Sequence, residues 1–287
     1  MAHGPERFTG RILGVATLHG KEEVIGPALC GRLPIAGYRA INGADTDRFG
    51  AFSGEVKRVL DPIEACKAKA RHGAAVSGLD LVIASEGSFF PYPPAPFMAC
   101  DEEVLVLFDV REDRFFEHRH LSLHTVFGAE ECGSWQQVSA FAERMKFPHH
   151  GLVVRAKEHW SAGEVMRKGI TGFDDLRDLV ERLIAQHGAC WVETDMRAMM
   201  NPTRMSVIGE AADRFAEELA TTCPACGACW FRRTAEVAGL PCALCGQPTN
   251  AIKGHWLTCH VCAHQRMIPR PDGRSAEDPR FCDHCNP

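Results

Sequence analysis

The sequence predicts an α/β fold: a mostly parallel mixed sheet flanked by helices, followed by a small cysteine-rich module. Two observations carry this. Through the first 220 residues, short apolar runs alternate with amphipathic stretches that open on helix caps. In the last 65 residues, nine of the fourteen cysteines collect, eight of them as C-x-x-C pairs. The boundary so implied separates residues 1–221 from 222–287.

Taken in order, residues 11–17 (RILGVAT) read as a buried strand, with a helix opening near Lys21 and a second strand at 37–42. Asp61-Pro62-Ile63-Glu64 supplies an acidic cap, proline at the first helical position and glutamate three after the cap, predicting a helix to about His72. The unbroken apolar run 79–84 (LDLVIA) suits a central strand covered on both faces. Segments 103–110 and 114–122 form a hairpin around Arg111-Glu112-Asp113. Ser134 caps a helix over 135–146 with Gln137 completing the capping box, and strand 151–155 follows. Leu176, Leu179, Val180, Leu183 and Ile184 give helix 173–187 its 3.6-residue stripe. Strand 190–194 leads into Asn201-Pro202, which starts a helix to about Ala220.

The cysteine pairs are Cys223/Cys226, Cys242/Cys245, Cys259/Cys262 and Cys282/Cys285. Each half of the tail matches a four-thiolate zinc pattern, C-x2-C-x15-C-x2-C and C-x2-C-x19-C-x2-C. Two structural zinc sites follow, whether the pairs combine sequentially or interleaved. A closed set of four thiolates leaves no position for substrate, so the metal folds the tail and takes no part in catalysis. The start MAHGPERFTG has no apolar signal core, and no run approaches the ~20 apolar residues of a membrane span. A cytoplasmic, reducing location is expected, which favours thiolate ligands over disulfides.

The net charge of −5 offers no global basic field for nucleic acid. From Cys223 onward there are seven Lys/Arg against five acids, and two tetrathiolate zinc sites carry the module further negative. On this bulk count nucleic acid is a disfavoured partner, and the tail serves as a lid or as a contact between two copies of a homodimer.

Chemistry is expected at the carboxyl ends of the strands. There, Thr17, His19, Gly20 and Lys21 form a strand-to-helix turn suited to a phosphate. Glu86 follows the most buried strand, and with Glu64 it offers two carboxylates to Mg²⁺. Glu193 and Asp195 are two apart on an extended backbone, with Arg197 and Arg204 placed to pair with them or with an anionic substrate. Asp45 and Asp47 form a further acidic pair.

In sequence order these pieces resemble the inosine/xanthosine triphosphate pyrophosphatase superfamily over about residues 11–110. The matching segments are Ala16-Thr17-Leu18-His19-Gly20-Lys21, Pro62-Ile63-Glu64-Ala65-Cys66-Lys67-Ala68-Lys69-Ala70-Arg71 and Ala84-Ser85-Glu86-Gly87. The resemblance implies metal-dependent hydrolysis of a nucleotide or related phosphate compound. Mg²⁺ would sit on Glu64 and Glu86, with Lys21 and Lys69 neutralising phosphate charge. The whole chain, including ETDMRAMMNPTRM and CDHCNP, also resembles an uncharacterised bacterial family with C-terminal zinc ribbons. Two other readings stand beside the hydrolase. One is a non-catalytic zinc-ribbon protein that recognises a protein or nucleic acid. The other is a different enzyme centred on Glu193, Asp195, Arg197 and Arg204.

Overall fold

The computed structural model describes residues 4–17, 19–41, 61–159 and 165–287; Asp45 and Asp47 lie outside them. The chain forms two compact units. An α/β unit comprises residues 10–31 and 35–215, and a ribbon unit comprises 1–9, 32–34 and 216–287. Among the described residues, no helix is long and apolar enough to cross a membrane.

The α/β unit holds two sheets. The first has the order β2-β1-β3-β4-β5, formed by β1 (Ile12–Ala16), β2 (Gly37–Ala40), β3 (Leu81–Pro91), β4 (Ala99–Asp109) and β5 (Arg114–Ser122). Here β2-β1-β3 pair in parallel and β3-β4-β5 antiparallel. The helices α1 (Glu22–Arg32) and α2 (Pro62–Ser77) lie between the parallel strands in the chain, whereas short turns link β3, β4 and β5. Asp61 caps α2 by accepting from the Ile63 amide at 2.9 Å. The helix runs five residues past the expected His72, through Gly73-Ala74-Ala75, and stops at the left-handed Gly78.

The second sheet, β6-β9-β7-β8, is antiparallel throughout: β6 (Ala129–Cys132), β7 (Leu152–Arg155), β8 (Met166–Ile170) and β9 (Cys190–Thr194). Helices α3 (Trp135–Arg144) and α4 (Phe173–His187) close a core of Val138, Phe141, Leu152, Leu176, Leu183 and Val192 against it. Each such side chain contributes roughly 1.5–3 kcal/mol through burial. The second half of the unit therefore builds its own sheet instead of extending the first. A final helix, α5 (Pro202–Ala220), begins where Asn201 accepts from the Arg204 amide at 2.9 Å.

The ribbon unit carries an antiparallel sheet β10-β11-β12, made of β10 (Arg232–Ala238), β11 (Ile252–Thr258) and β12 (Gln265–Pro269). All four cysteine pairs make one turn type, in which the residue after the second cysteine donates its amide to the carbonyl of the first. The bonds are Gly227 to Cys223 (2.8 Å), Gly246 to Cys242 (2.9 Å), Ala263 to Cys259 (3.1 Å) and Asn286 to Cys282 (2.8 Å). Gly227, Gly246 and Ala263 occupy the left-handed region, where alanine costs about 1 kcal/mol that glycine does not. Ala263→Gly should therefore stabilise the ribbon by ~0.5 kcal/mol after the added freedom of the unfolded chain is subtracted. Equilibrium unfolding would show it; a destabilised variant would contradict this account of the turn.

Candidate functional site

Pairing of β1 with β3 ends at Ala16–Ala84. Beyond it β3 runs on beside β4 alone, and three successive residues there each meet a cation from a different element. Ser85 accepts from Lys21 Nζ, 2.9 Å at Oγ and 3.4 Å at the carbonyl. Glu86 pairs with Lys69 of α2. Gly87 leaves room for Arg204 of α5: an added Cβ would lie 2.3 Å from Arg204 Nη2 and 2.5 Å from Glu103 Oε1. Arg204 Nε in turn donates to Glu103 Oε1 at 2.7 Å, Nη1 donates to the Met196 carbonyl, and the guanidinium lies 5.3 Å from the Phe89 ring centre. The face alternation of β3 explains the split. Val82, Ala84 and Glu86 face α2, while Ser85, Gly87 and Phe89 share their side with Leu105, Glu103 and Asp101 of β4.

The β1–α1 turn frames this cluster. Thr17 Oγ1 accepts from the His19 amide at 3.1 Å, and Gly20 takes φ 71°, a conformation strained for any other residue. The Lys21 carbonyl then receives the first amides of α1. Four predicted residues, Lys21, Lys69, Glu86 and Arg204, are thus brought together and buried, with the turn of Thr17, His19 and Gly20 beside them.

Glu64 is not among them. Its side chain is 58% exposed and bonds Lys67, which also reaches Glu117. Five residues separate Glu64 from Lys69, about 140° around the helix, so it faces away from Glu86. The expected two-carboxylate Mg²⁺ site therefore does not form from this pair, and the Glu86 carboxylate is taken up by Lys69. The Glu193–Arg204 segment divides as well. Glu193 turns to Arg155 (2.7 Å) and Trp191 Nε1 (3.1 Å), and burial raises its carboxyl pKa. Asp195 holds Arg197 through Nε (3.0 Å) and Nη2 (2.6 Å) and accepts from the Gly169 amide (3.0 Å). Arg204 pairs with Glu103 instead of either acid.

Asp101 and Glu103 escaped the sequence reading. Both are wholly buried two apart on β4, and both Asp101 oxygens and Glu103 Oε2 lack a hydrogen-bond partner. Their signal was an acid-x-acid step leading into an apolar run, which puts both carboxyls on one face. Burial first, and then the charge of Glu103, push Asp101 up to about 8, against the pull of Arg204 and Lys21. Burial, then Arg204, lower Lys21 to about 8. His19 falls to about 4 through burial and the charges of Lys21, Arg204, Arg197 and Lys69, so its ring is neutral at pH 7.

A raised Asp101 pKa favours the fold at low pH, and that contribution is lost as pH climbs from the ordinary 3.8 through about 8. His19 and Lys21 act oppositely, since their lowered values make stability rise with pH over 4–6.5 and 8–10.5. Asp101→Asn should therefore gain on the wild type by roughly 4 kcal/mol between pH 5 and pH 9. Its amide also gives Glu103 Oε2 a donor. Urea unfolding at both pH values checks this, and equal pH slopes would remove Asp101 as the source.

In the ribbon unit the sulfurs form two sets, Cys223/Cys226/Cys259/Cys262 and Cys242/Cys245/Cys282/Cys285, each lying within 4.8 Å. The pairs are therefore interleaved, first with third and second with fourth. Separations across the pairs are 3.7 Å (Cys223–Cys262), 3.6 Å (Cys226–Cys259), 3.9 Å (Cys242–Cys285) and 3.7 Å (Cys245–Cys282). A tetrahedral ion with 2.3 Å bonds to sulfur needs about 3.8 Å between ligands, whereas a disulfide needs about 2.05 Å. These sets fit a metal ion. Cys229 is buried outside both, and no histidine belongs to either.

Fold and site define a two-unit protein, an α/β unit with a buried cation–carboxylate cluster and a ribbon with two sets of four cysteines that could each hold a metal ion. A family described as Domain of unknown function (DUF6671) matches residues 69–287, about three quarters of the chain, and the protein belongs to that family. The matched span holds Lys69, Glu86, Asp101, Glu103, Asp195, Arg197, Arg204 and all eight metal-set cysteines. No curated protein and no solved structure matches the chain.

Proposed function

We propose that the α/β unit is a hydrolase site for a phosphate-bearing small molecule, a nucleotide or related compound, acting in the manner of a pyrophosphatase. One observation carries the reading: Ser85, Glu86 and Gly87 gather Lys21, Lys69 and Arg204 from three separate elements at one strand end. Glu86 and Glu103 already answer Lys69 and Arg204, so it is the buried charge of Lys21, bonded to Ser85, that an added anion would offset. Burial first, and then the charges of Lys21, Arg204, Arg197 and Lys69, lower His19 at the half-buried rim, where Arg197 keeps a quarter of its side chain exposed. Phosphate oxygens would sit among His19, the Gly20 turn and Arg197, with Lys21, Lys69 and Arg204 stabilising the charge that grows as the bond to the leaving oxygen breaks. Neutral His19 would accept a hydrogen bond from the attacking water. Glu64 and Glu86 do not fit a shared Mg²⁺, and Lys21, Lys69 and Arg204 carry the charge neutralisation instead.

The two tetrathiolate sets we assign to zinc in a structural role, since four thiolates saturate a tetrahedral ion.

Release of pyrophosphate or phosphate from inosine, xanthosine and the common nucleoside triphosphates tests the hydrolase. Binding has its own readout, because an anion beside His19 cancels the positive field. Burial and the neighbouring cations hold the His19 ring down to about 4, and an NMR titration should show it move up by about a unit or more when pyrophosphate is added. An unmoved His19 together with silence across the substrates would sink the reading.

A further inference from the structure

We propose that Ser85 is a nucleophile and Lys21 its general base, a serine–lysine dyad that takes the phosphoryl group of the substrate onto Oγ. The inference rests on the hydrolase reading for its substrate, while the dyad itself stands on the placement of two side chains. Lys21 Nζ lies 2.9 Å from Ser85 Oγ, inside the reach a base needs to take a hydroxyl proton. Both residues are 6% exposed, so little water competes for either group. Lys69 and Arg204 each hold a carboxylate, Glu86 and Glu103. Among the described residues, Lys21 Nζ bonds only the hydroxyl and the carbonyl of Ser85. A buried lysine without a carboxylate partner gives up its proton more readily than one in an ion pair. Burial first, and then Arg204, accordingly lower Lys21 to about 8, which leaves roughly a tenth of it as free amine at pH 7.

Ser85 follows the last β1–β3 pair, Ala16–Ala84, so it stands where β1 gives way to the half-buried turn of His19 and Gly20. A phosphate held by that turn would bring its phosphorus to Oγ. In the first step Oγ attacks phosphorus, its proton passes to Lys21 Nζ, and the leaving oxygen departs with the electron pair of the broken bond. The new ammonium then faces the phosphoserine and offsets its charge. In the second step water attacks the same phosphorus and passes one proton through His19 to solvent. The Oγ–phosphorus bond breaks, and Lys21 returns its proton to Oγ.

The test uses the full chain and an uncharged fluorophosphonate with short alkyl groups, read by mass spectrometry of the intact protein and of its peptides. Oγ displaces fluoride, and an adduct on Ser85 is expected. Its rate should rise roughly fiftyfold from pH 6 to pH 8 and level off by about pH 9, as Lys21 loses its proton. Lys21 is faced by Arg204 from α5, Glu103 from β4, Glu86 from β3 and Lys69 from α2, with His19 held at about 4 beside it. Asp101 of β4 is itself pushed up to about 8, so the profile is repeated in Asp101→Asn, where the rise should persist. Lys21→Arg keeps a cation beside Ser85 but no base, and should slow labelling at least ~100-fold while pyrophosphate still moves the His19 ring. Should that variant not fold, the wild-type pH profile decides by itself. The dyad is overturned by no adduct on Ser85, by equal labelling of a folded Lys21→Arg protein, or by a rate flat between pH 6 and pH 8. Nucleotide hydrolysis undiminished in Ser85→Ala also overturns it and leaves the hydrolase reading standing. An adduct on Ser85 beside silent nucleotides and an unmoved His19 keeps the nucleophile and removes the phosphate substrate.

Discussion

Arg204→Met should destabilise the α/β unit by about 3–5 kcal/mol and abolish anion binding. Arg204 is 1% exposed and joins three regions: Glu103 on β4, the Met196 carbonyl ahead of α5 and the ring of Phe89. Methionine fills similar space but leaves the fully buried Glu103 carboxylate without the guanidinium. The loss is then the cost of an unpaired buried charge, not the net worth of the pair. Arg204→Met combined with Glu103→Gln should recover most of the stability and none of the binding. Urea unfolding with pyrophosphate titration separates these effects. A single variant within 1 kcal/mol of wild type would mean that Glu103 is not held as an anion.

Paired cysteine replacements should show a stoichiometry that only interleaved sites produce. Cys223→Ser with Cys259→Ser removes two ligands of one set and should leave one bound metal per chain. Cys223→Ser with Cys242→Ser strikes both sets and should leave none. Sequential sites would reverse these outcomes. Because a structural tetrathiolate site contributes on the order of 10 kcal/mol to a small domain, the second variant should lose the ribbon fold. Metal counting by a colorimetric chelator and circular dichroism give the two readouts. One metal retained in Cys223→Ser/Cys242→Ser would overturn the interleaved assignment.

Much of the fold was legible because its signals are local. Asp61-Pro62, Ser134 and Asn201-Pro202 mark the starts of α2, α3 and α5 where the chain itself satisfies the first amides. Strands β6 and β8 were not read. Ala129-Glu130-Glu131 is exposed at a sheet edge, and Met166-Arg167-Lys168 carries two charges, so neither shows apolar alternation. The site was half legible for the same reason. Lys21, Lys69, Glu86 and Arg204 stood out by type and position, but their partners are set by strand register and helix phase. Register places Gly87 opposite Glu103, and helix phase turns Lys69 inward and Glu64 outward. The cysteine spacing likewise picked out the eight cysteines that cluster while fitting both pairings, because every turn has the same form and either order gives four thiolates.

Interleaving also sets a timetable for synthesis. Were the sites sequential, a growing chain could complete one centre once Cys245 had emerged, and finish the second later. As built, the first centre waits 39 residues, from Cys223 to Cys262, and the second waits 43, from Cys242 to Cys285. Until Cys259 is made, the four set thiolates Cys223, Cys226, Cys242 and Cys245 sit in an unfinished tail with no complete set. Any ion held there is held by half a site and exchanges freely. Metal ions taken by these sets would thus be captured late and close together, and a chain interrupted before Cys259 would complete neither set.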